Sequence, residues 1–372
     1  MSNINKKIGI ITYHRAINYG ALLQVYALQR KIKEWVPECV VLDYRNKKLE
    51  SKHKKKRLSD CKTLKDFIRD CLLLKNYNTK FDKFRKFADG YLDVSSPFYE
   101  LSDLEEVEDE YVKFFTGSDQ VWNYKINGMD AAYFLGFTKD KSKKKSYAAS
   151  FGISSIPKEY KQKYTELLRD FNHILIREKQ GADIIKELLS KESSVVLDPT
   201  LLISKEEWHD LVKNNYPVKK KKYILVYAFG RSKNIMGLAK SISRKTGYQV
   251  VCISTTYRKS IHVRYEKSVG PEEFLALFKK AEYIITNSFH GTAFAINFNK
   301  QFFTEFLPGS LDVNSRLENI LQLFGLENRI IIRDTATTET PINYDAVNKI
   351  LERERKRSIA LLKNAVLGGA EK

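Results

Sequence analysis

Long apolar runs are missing from this 372-residue chain; none approaches the ~18 residues that a membrane-spanning helix needs. Glycine (17) and proline (8) are too scarce for a collagen-like or low-complexity protein. The four cysteines, Cys39, Cys61, Cys71 and Cys252, are scattered, with no CxxC pair and no His-rich tract. That spacing excludes a disulfide framework, indicates no zinc site and agrees with a reducing compartment. The opening MSNINKK runs into an apolar strand without a signal-peptide core or cleavage site. The sequence also lacks GxxxxGK[ST] and a GxGxxG following a strand, which argues against an ordinary NTPase or dinucleotide enzyme, and it contains neither HExxH nor GxSxG. Together these gaps lead to the expectation of a soluble, cytoplasmic protein without a metal site.

What is present suits a folded α/β protein. Hydrophobic residues make up 43% and aromatics 12%, which excludes disorder over most of the chain, and the length suggests two domains. The 65 Lys+Arg against 45 Asp+Glu leave a formal charge of +20, so an anionic partner is expected. Most of the lysines fall in runs at 47–57, 139–145 and 219–222, with no aromatic-interleaved motif or recognition helix. No specific nucleic acid is therefore expected. The runs read as solvated surface, or as a means of holding the protein at an anionic membrane.

KIGIITY reads as a strand buried on both faces, and ALLQVYALQRKIKEW as a helix with Leu22, Val25, Leu28 and Ile32 on one stripe. Val40–Leu42 completes a strand–helix–strand unit, which implies a parallel sheet. The segment 46–90 reads as a basic insertion on the sheet edge with two amphipathic helices. Strands follow at YVKFFTGSD, SYAASFG, HILIRE and SVVLDPT, and KDKSKKK reads as a solvated loop. After a helix near Glu206–Lys213, the stretch NNYPVKKKK reads as a linker. YILVYAFG, YQVVCIST, AEYIITNS, QFFTEF and RIIIR then alternate with helices, and Tyr344–Leu367 reads as a final charged helix. The expected architecture is two Rossmann-like domains facing across a cleft: residues 1–200, residues 201–340, and a C-terminal helix in 341–372.

Ligands of open α/β sheets bind beyond the carboxyl ends of the strands, so chemistry belongs in the strand-to-helix loops. The loop Thr12–Gly20 carries His14, with Asn18 placed to cap the next helix and Gly20 to admit a close neighbour; a well-capped turn would read the same. In the loop Thr116–Asn123, Asp119, Gln120 and Trp122 offer the carboxylate, amide and aromatic face that sugar sites use, although an Asx-capped turn gives a similar string. Arg177 ends an apolar strand and suits a carboxylate or phosphate ligand, or an ion pair with Glu178 or another acid. The string Ile284–Ala293 is the most specific: backbone N–H groups at a helix start, with the Ser288 and Thr292 hydroxyls, can hold a phosphate, and His290 beside Gly291 is placed for acid–base work. Gly230-Arg231-Ser232 is a further anion contact.

Read in order, ITYHRAINYGALLQVYALQ, TGSDQVWN, SYAASFG, REKQGADI, VLDPTLL and TNSFHGTAFAINFNKQFF resemble the polysaccharide pyruvyl transferase family over residues 10 to 303, apart from the insertion. The resemblance implies a two-domain arrangement similar to GT-B glycosyltransferases, with the first domain on the acceptor side and the second on the donor side. It implies transfer of pyruvate from phosphoenolpyruvate to two hydroxyls of a cell-surface polysaccharide sugar or its lipid-linked precursor, forming a cyclic ketal and releasing phosphate. The family's Arg–x–His element places its His on His290, while its Arg position falls on Ser288; its other donor arginine falls on Arg177. The implied roles are His290 as acid/base with Asp119 and His14 assisting. The implied donor contacts are Arg177, Ser288, Phe289, Gly291, Thr292 and Arg231. The implied acceptor contacts are Asn18, Tyr19, Gln120 and Trp122. No metal or cofactor enters this scheme beyond the donor substrate. An undecaprenyl-diphosphate-linked acceptor and a peripheral position at the inner face of the membrane are the corresponding options. The alternative is a GT-B-like glycosyltransferase using a nucleotide sugar.

Overall fold

In a computed structural model, residues 7–55, 64–212, 221–254, 262–307, 311–332 and 340–368 are described. The chain forms β1 (Lys7–Ile11), α1 (Tyr19–Lys33), β2 (Cys39–Tyr44), α2 (Lys47–Lys52), α3 (Leu64–Tyr91), β3 (Val94–Phe98), α4 (Leu101–Glu106) and β4 (Tyr111–Thr116). It continues with α5 (Tyr124–Asn127), β5 (Lys144–Ser146), α6 (Lys158–Leu168), β6 (Leu175–Ile176), α7 (Lys179–Leu189), β7 (Ser194–Val195) and α8 (Lys205–Leu211). The second half comprises β8 (Tyr223–Tyr227), α9 (Lys233–Thr246), β9 (Gln249–Ile253), β10 (Val263–Glu266), α10 (Pro271–Lys280) and β11 (Tyr283–Thr286). It ends with α11 (Phe289–Asn297), β12 (Gln301–Thr304), α12 (Leu311–Phe324) and α13 (Tyr344–Leu367).

Two parallel sheets result, ordered β3-β2-β1-β4-β5 and β10-β9-β8-β11-β12. The short pair β6-β7 extends the first sheet through single bridges from Lys145 to His173 and from Ala149 to Ile176. In each sheet the strand order reverses beside the first strand, between β1 and β4 and between β8 and β11. The loops that leave those four strands flank the two crevices where an open α/β sheet receives ligands.

Helix α1 lies where the halves meet, and this decides its burial. The apolar stripe expected on one face becomes an unbroken buried run from Tyr19 to Gln29, packed by α3, α10, α11 and α13. Gln24 and Gln29 survive inside it because they are fully bonded. Gln29 donates to the carbonyls of Cys39 and Asp93, and Gln24 ties Thr12 Oγ1 to the Ser118 N–H. Tyr19 stacks on Phe274 and donates to the Val269 carbonyl, so it pins one half to the other.

Three sequence expectations change. The insertion is one 28-residue helix, α3, after the short α2, and it does not sit on the sheet edge. Its Phe84 and Phe87 pack on Tyr19 and Tyr26, while Lys83 and Tyr91 bond Glu273 and Glu272 of the other half. Aromatic contacts with α1 and polar contacts with the second half make it a bridge. KDKSKKK is not wholly solvated either: Lys144 and Lys145 are buried in β5, an edge strand with polar sequence. The stretch RIIIR supplies only a single bridge, Ile330 to Thr304, in place of a strand. Strands β3 and β10 had no clear apolar signature. The linker stretch 214–222 lies outside the described residues apart from its last two. α13 returns to the first half, where Ser358 accepts from the Leu197 N–H and Arg355 donates to the Leu201 carbonyl.

Candidate active site

The four loops that flank the reversals in strand order converge. From the first half come the turn after β1 and the turn after β4; from the second come the loop after β8 and the start of α11.

His290 occupies the first turn of α11. Its imidazole lies directly on the backbone of Gly20, so that a Cβ on residue 20 would overlap the ring. Nε2 faces Asp198 Oδ2 at 3.5 Å and makes no hydrogen bond among the described residues. Asp198 is wholly buried. Its Oδ1 accepts from the Thr200 N–H and hydroxyl, and its Oδ2 is 3.0 Å from Arg177 Nη1. Burial alone would raise the Asp198 pKa, but His290, Arg177 and the Thr200 N–H hold it well below the usual carboxylate range.

Arg177 is also within 3.3 Å of Asp119 and 3.8 Å of Glu178, and its guanidinium lies 4.8 Å from the centre of the Phe289 ring. A second buried arginine, Arg316 of α12, completes the cluster. Burial and the neighbouring Arg177 push its pKa down to about 10, against the pull of Asp119, Glu178 and Asp198. With its amide oxygen turned toward Arg316, Gln120 accepts from both terminal nitrogens at 3.2 and 3.3 Å. Asp119 reaches Arg177 from a left-handed backbone (φ 74°), held by its carbonyl accepting from Ser150 and Val121.

On the first half, His14 Nε2 is 3.0 Å from Asp43 Oδ1, and Arg45 and Arg15 also grip that carboxylate. Burial opposes ionisation of Asp43, yet His14, Arg45 and Arg15 bring its pKa down to about 2. His14 lines a cavity of about 170 Å³ with Arg15, Tyr44, Glu50, Asp119 and Gln120. A larger cavity of about 780 Å³ is lined by Asn18 and Tyr19 of the first half, Phe229 and Arg231 of the loop after β8, and Lys80 of α3. Asn18 lines both cavities and caps α1 through the N–H groups of Gly20 and Ala21.

Several expected roles are corrected by these placements. Trp122 is fully buried, donates to the Tyr133 carbonyl and packs on Phe134, so it is core and not an acceptor platform. Tyr19 is a buried pin between the halves that also lines the larger cavity. The expected anion nest is mostly self-satisfied: Ser288 Oγ takes the Gly291 N–H, the Ser288 carbonyl takes the Thr292 N–H, and the Thr292 hydroxyl pairs with Thr304. Gly291 makes room for Thr286 and Tyr227, not for a ligand. Phe289 shields Arg177. Arg177 itself is committed to three carboxylates, the ion-pair alternative open at the sequence level. His290, Asp119, His14, Asn18 and Gln120 do come together around the junction, and Arg231 stands exposed at the larger cavity.

Sequence reasoning passed over Asp43, Asp198, Gln24 and Arg316, and named Glu178 only as an ion-pair partner for Arg177. Asp43 and Asp198 did carry a signal, each being an acid at the end of an apolar strand. Arg316 carried none. Among the described residues no group of three His, Cys, Asp or Glu side chains could hold a metal ion, and no helix is long and apolar enough to cross a membrane.

The model of a family described as polysaccharide pyruvyl transferase matches residues 18–304. A search of curated proteins returns no match. Among solved structures, a putative UDP-N-acetylglucosamine 2-epimerase from Listeria monocytogenes is 11% identical with a TM-score of 0.51, covering 96% of this chain and 91% of that one. The UDP-N-acetylglucosamine 2-epimerase from Rickettsia bellii is 10% identical with a TM-score of 0.49, covering 97% and 96%. E. coli ADP-heptose lps heptosyltransferase II is 12% identical with a TM-score of 0.40, covering 97% and 98%. At such identities the likeness concerns the fold alone, and the Listeria structure supports the GT-B-like pairing of two Rossmann-like halves.

Proposed function

The chain belongs to the polysaccharide pyruvyl transferase family, and we propose that it transfers pyruvate from phosphoenolpyruvate to two hydroxyls of one sugar, forming a cyclic ketal and releasing phosphate. The observation that carries this reading is the meeting of His290 with Gly20, which sets an acid–base group of one half against the ligand crevice of the other.

In this reading the donor enters the larger cavity and approaches His290 past Asn18. His290 gives a proton to the methylene carbon, and C2 becomes an oxocarbenium-like centre. A sugar hydroxyl attacks C2 and passes its proton to an oxygen of the donor's phosphate, while His14, held by Asp43 and the Thr12 carbonyl, positions the acceptor. The second hydroxyl attacks C2, the C–O bond to phosphate breaks, and its proton restores His290. The phosphate leaves carrying the first hydroxyl's proton, so the atoms balance. The acceptor sugar belongs in the smaller cavity, where Asp119, Gln120 and Tyr44 offer polar atoms. A lipid-diphosphate carrier and attachment to an anionic membrane surface are compatible additions.

The test is phosphate release from phosphoenolpyruvate with candidate galactosyl- or mannosyl-terminated acceptors, with the ketal product followed by mass spectrometry. His290→Ala should abolish release while keeping the fold; wild-type rates in that variant would remove His290 from the reaction. The volume of the larger cavity also admits a nucleotide sugar. Thermal stabilisation by UDP- or GDP-sugars and not by phosphoenolpyruvate would favour that second reading.

A further inference from the structure

The arginine that shares Asp198 with His290 is not free to meet a polyanion. Arg177 is held by Asp119, Glu178 and Asp198, and Ser288 stands where the family resemblance led us to expect another arginine. A phosphorylated ligand needs positive charge from elsewhere, and the larger cavity has it. Lys80, Arg231, Lys233 and Lys267 line this cavity, and no carboxylate is among its described lining residues.

We propose that Lys80, carried by the insertion helix α3, is a phosphate-binding residue of the larger cavity. The inference takes from the donor reading only the identity of the ligand. Three contacts fix α3 against the second half: Lys83 to Glu273, Tyr91 to Glu272, and Asn76 with Ser268. Phe84 and Phe87 anchor it on α1. Between these anchors the Lys80 ammonium sits 4.3 Å from the centre of the Tyr19 ring and 5.3 Å from that of Phe84. It has no carboxylate partner among the described residues, whereas Lys83, one turn on, is paired. The rings hold the charge without neutralising it.

Burial brings the Lys80 pKa down to about 8, the mark of a cation short of solvation that an incoming phosphate would relieve. The titratable groups beside it are Tyr19 from α1 and His53 from the segment after α2, and the other charged residues of the cavity are Arg231, Lys233 and Lys267 from the second half. None of these is a competing anion near neutral pH. The insertion is thus part of the binding machinery and not only a surface elaboration.

Isothermal titration of the full chain with inorganic pyrophosphate, phosphoenolpyruvate and UDP at physiological salt tests the assignment, using Lys80→Met, Lys80→Gln and Lys80→Arg. Met keeps the apolar stem against Tyr19 and Phe84, and Gln provides a second neutral variant. The neutral variants should bind pyrophosphate about 10- to 100-fold more weakly, and Lys80→Arg near the wild-type level. Wild-type affinity should fall as pH rises through about 8, while Lys80→Arg should hold its affinity to higher pH. Unchanged affinity in the neutral variants, or no binding of any of the three ligands by the wild type, overturns the proposal. Preference for UDP over phosphoenolpyruvate, still dependent on Lys80, keeps the site and assigns it to a nucleoside diphosphate. Lys80-dependent binding of phosphoenolpyruvate, with no phosphate released once the galactosyl- and mannosyl-terminated acceptors are added, keeps the site and counts against the pyruvyl reading.

Discussion

The imidazole of His290 rests on the backbone of Gly20, and no side chain larger than hydrogen fits between them. Ala favours a helix over Gly by about 1 kcal/mol, so on propensity alone Gly20→Ala should stabilise α1. The overlap with His290 reverses that sign. The variant should fold by circular dichroism yet lose about 100-fold in kcat, as expected when a reacting group is displaced by about 1 Å. A wild-type kcat would show that the position of His290 does not matter.

Asp198 links Arg177 to the region of His290 from a fully buried position. Removing one partner of such a cluster leaves an uncompensated charge, so Asp198→Ala should cost about 3–5 kcal/mol in urea unfolding. Asp198→Asn, which retains the shape and some hydrogen bonding, should cost less. Equal stability of all three proteins would mean that the cluster adds nothing to the fold.

Acid should unfold the protein partly through Asp43. Its pKa falls from 3.8 to about 2 in the folded state through His14, Arg45 and Arg15, against burial. A depressed carboxylate contributes stability that is complete above its unfolded pKa and is lost as pH falls through the folded one. The window is therefore about pH 4 to 2, and the contribution is about 2 kcal/mol. Asp43→Asn should flatten the stability curve in that window and, by releasing His14, lower kcat at neutral pH.

Trp122 should behave as core. Trp122→Ala should cost about 3–5 kcal/mol, and Trp122→Phe should lower the Tm while leaving the KM for the acceptor unchanged. A large KM effect with an unchanged Tm would return Trp122 to the acceptor site.

Local pattern and loop chemistry made parts of the site legible. His14, Asn18, Asp119, Arg177 and His290 could all be found because each follows a strongly apolar strand, and strand ends in parallel sheets converge. Their individual roles were less legible. Arg177 read equally as a ligand-binding arginine or an ion pair because two of its three carboxylates, Asp119 and Asp198, lie on other loops. Trp122 looked like a sugar platform because its polar neighbours in the chain said nothing of Phe134, Phe151 and Phe171 around its ring. Arg316 could not be found, since nothing in helix α12 marks a position that faces another half.

Most of the alternation of strands and helices (β3, β10 and the stretch RIIIR excepted), the two α/β halves and the strand-end placement of the polar loops follow from the sequence alone, because hydrophobic periodicity and turn chemistry are local. The charge state of the site was decided only by the tertiary structure. Which arginines are neutralised, which lysine of a basic insertion reaches a cavity and where His290 rests all depend on charges brought together over long sequence separations. Burial removes the water that would otherwise screen those charges, so their partners, and not their positions in the chain, determine what each can do.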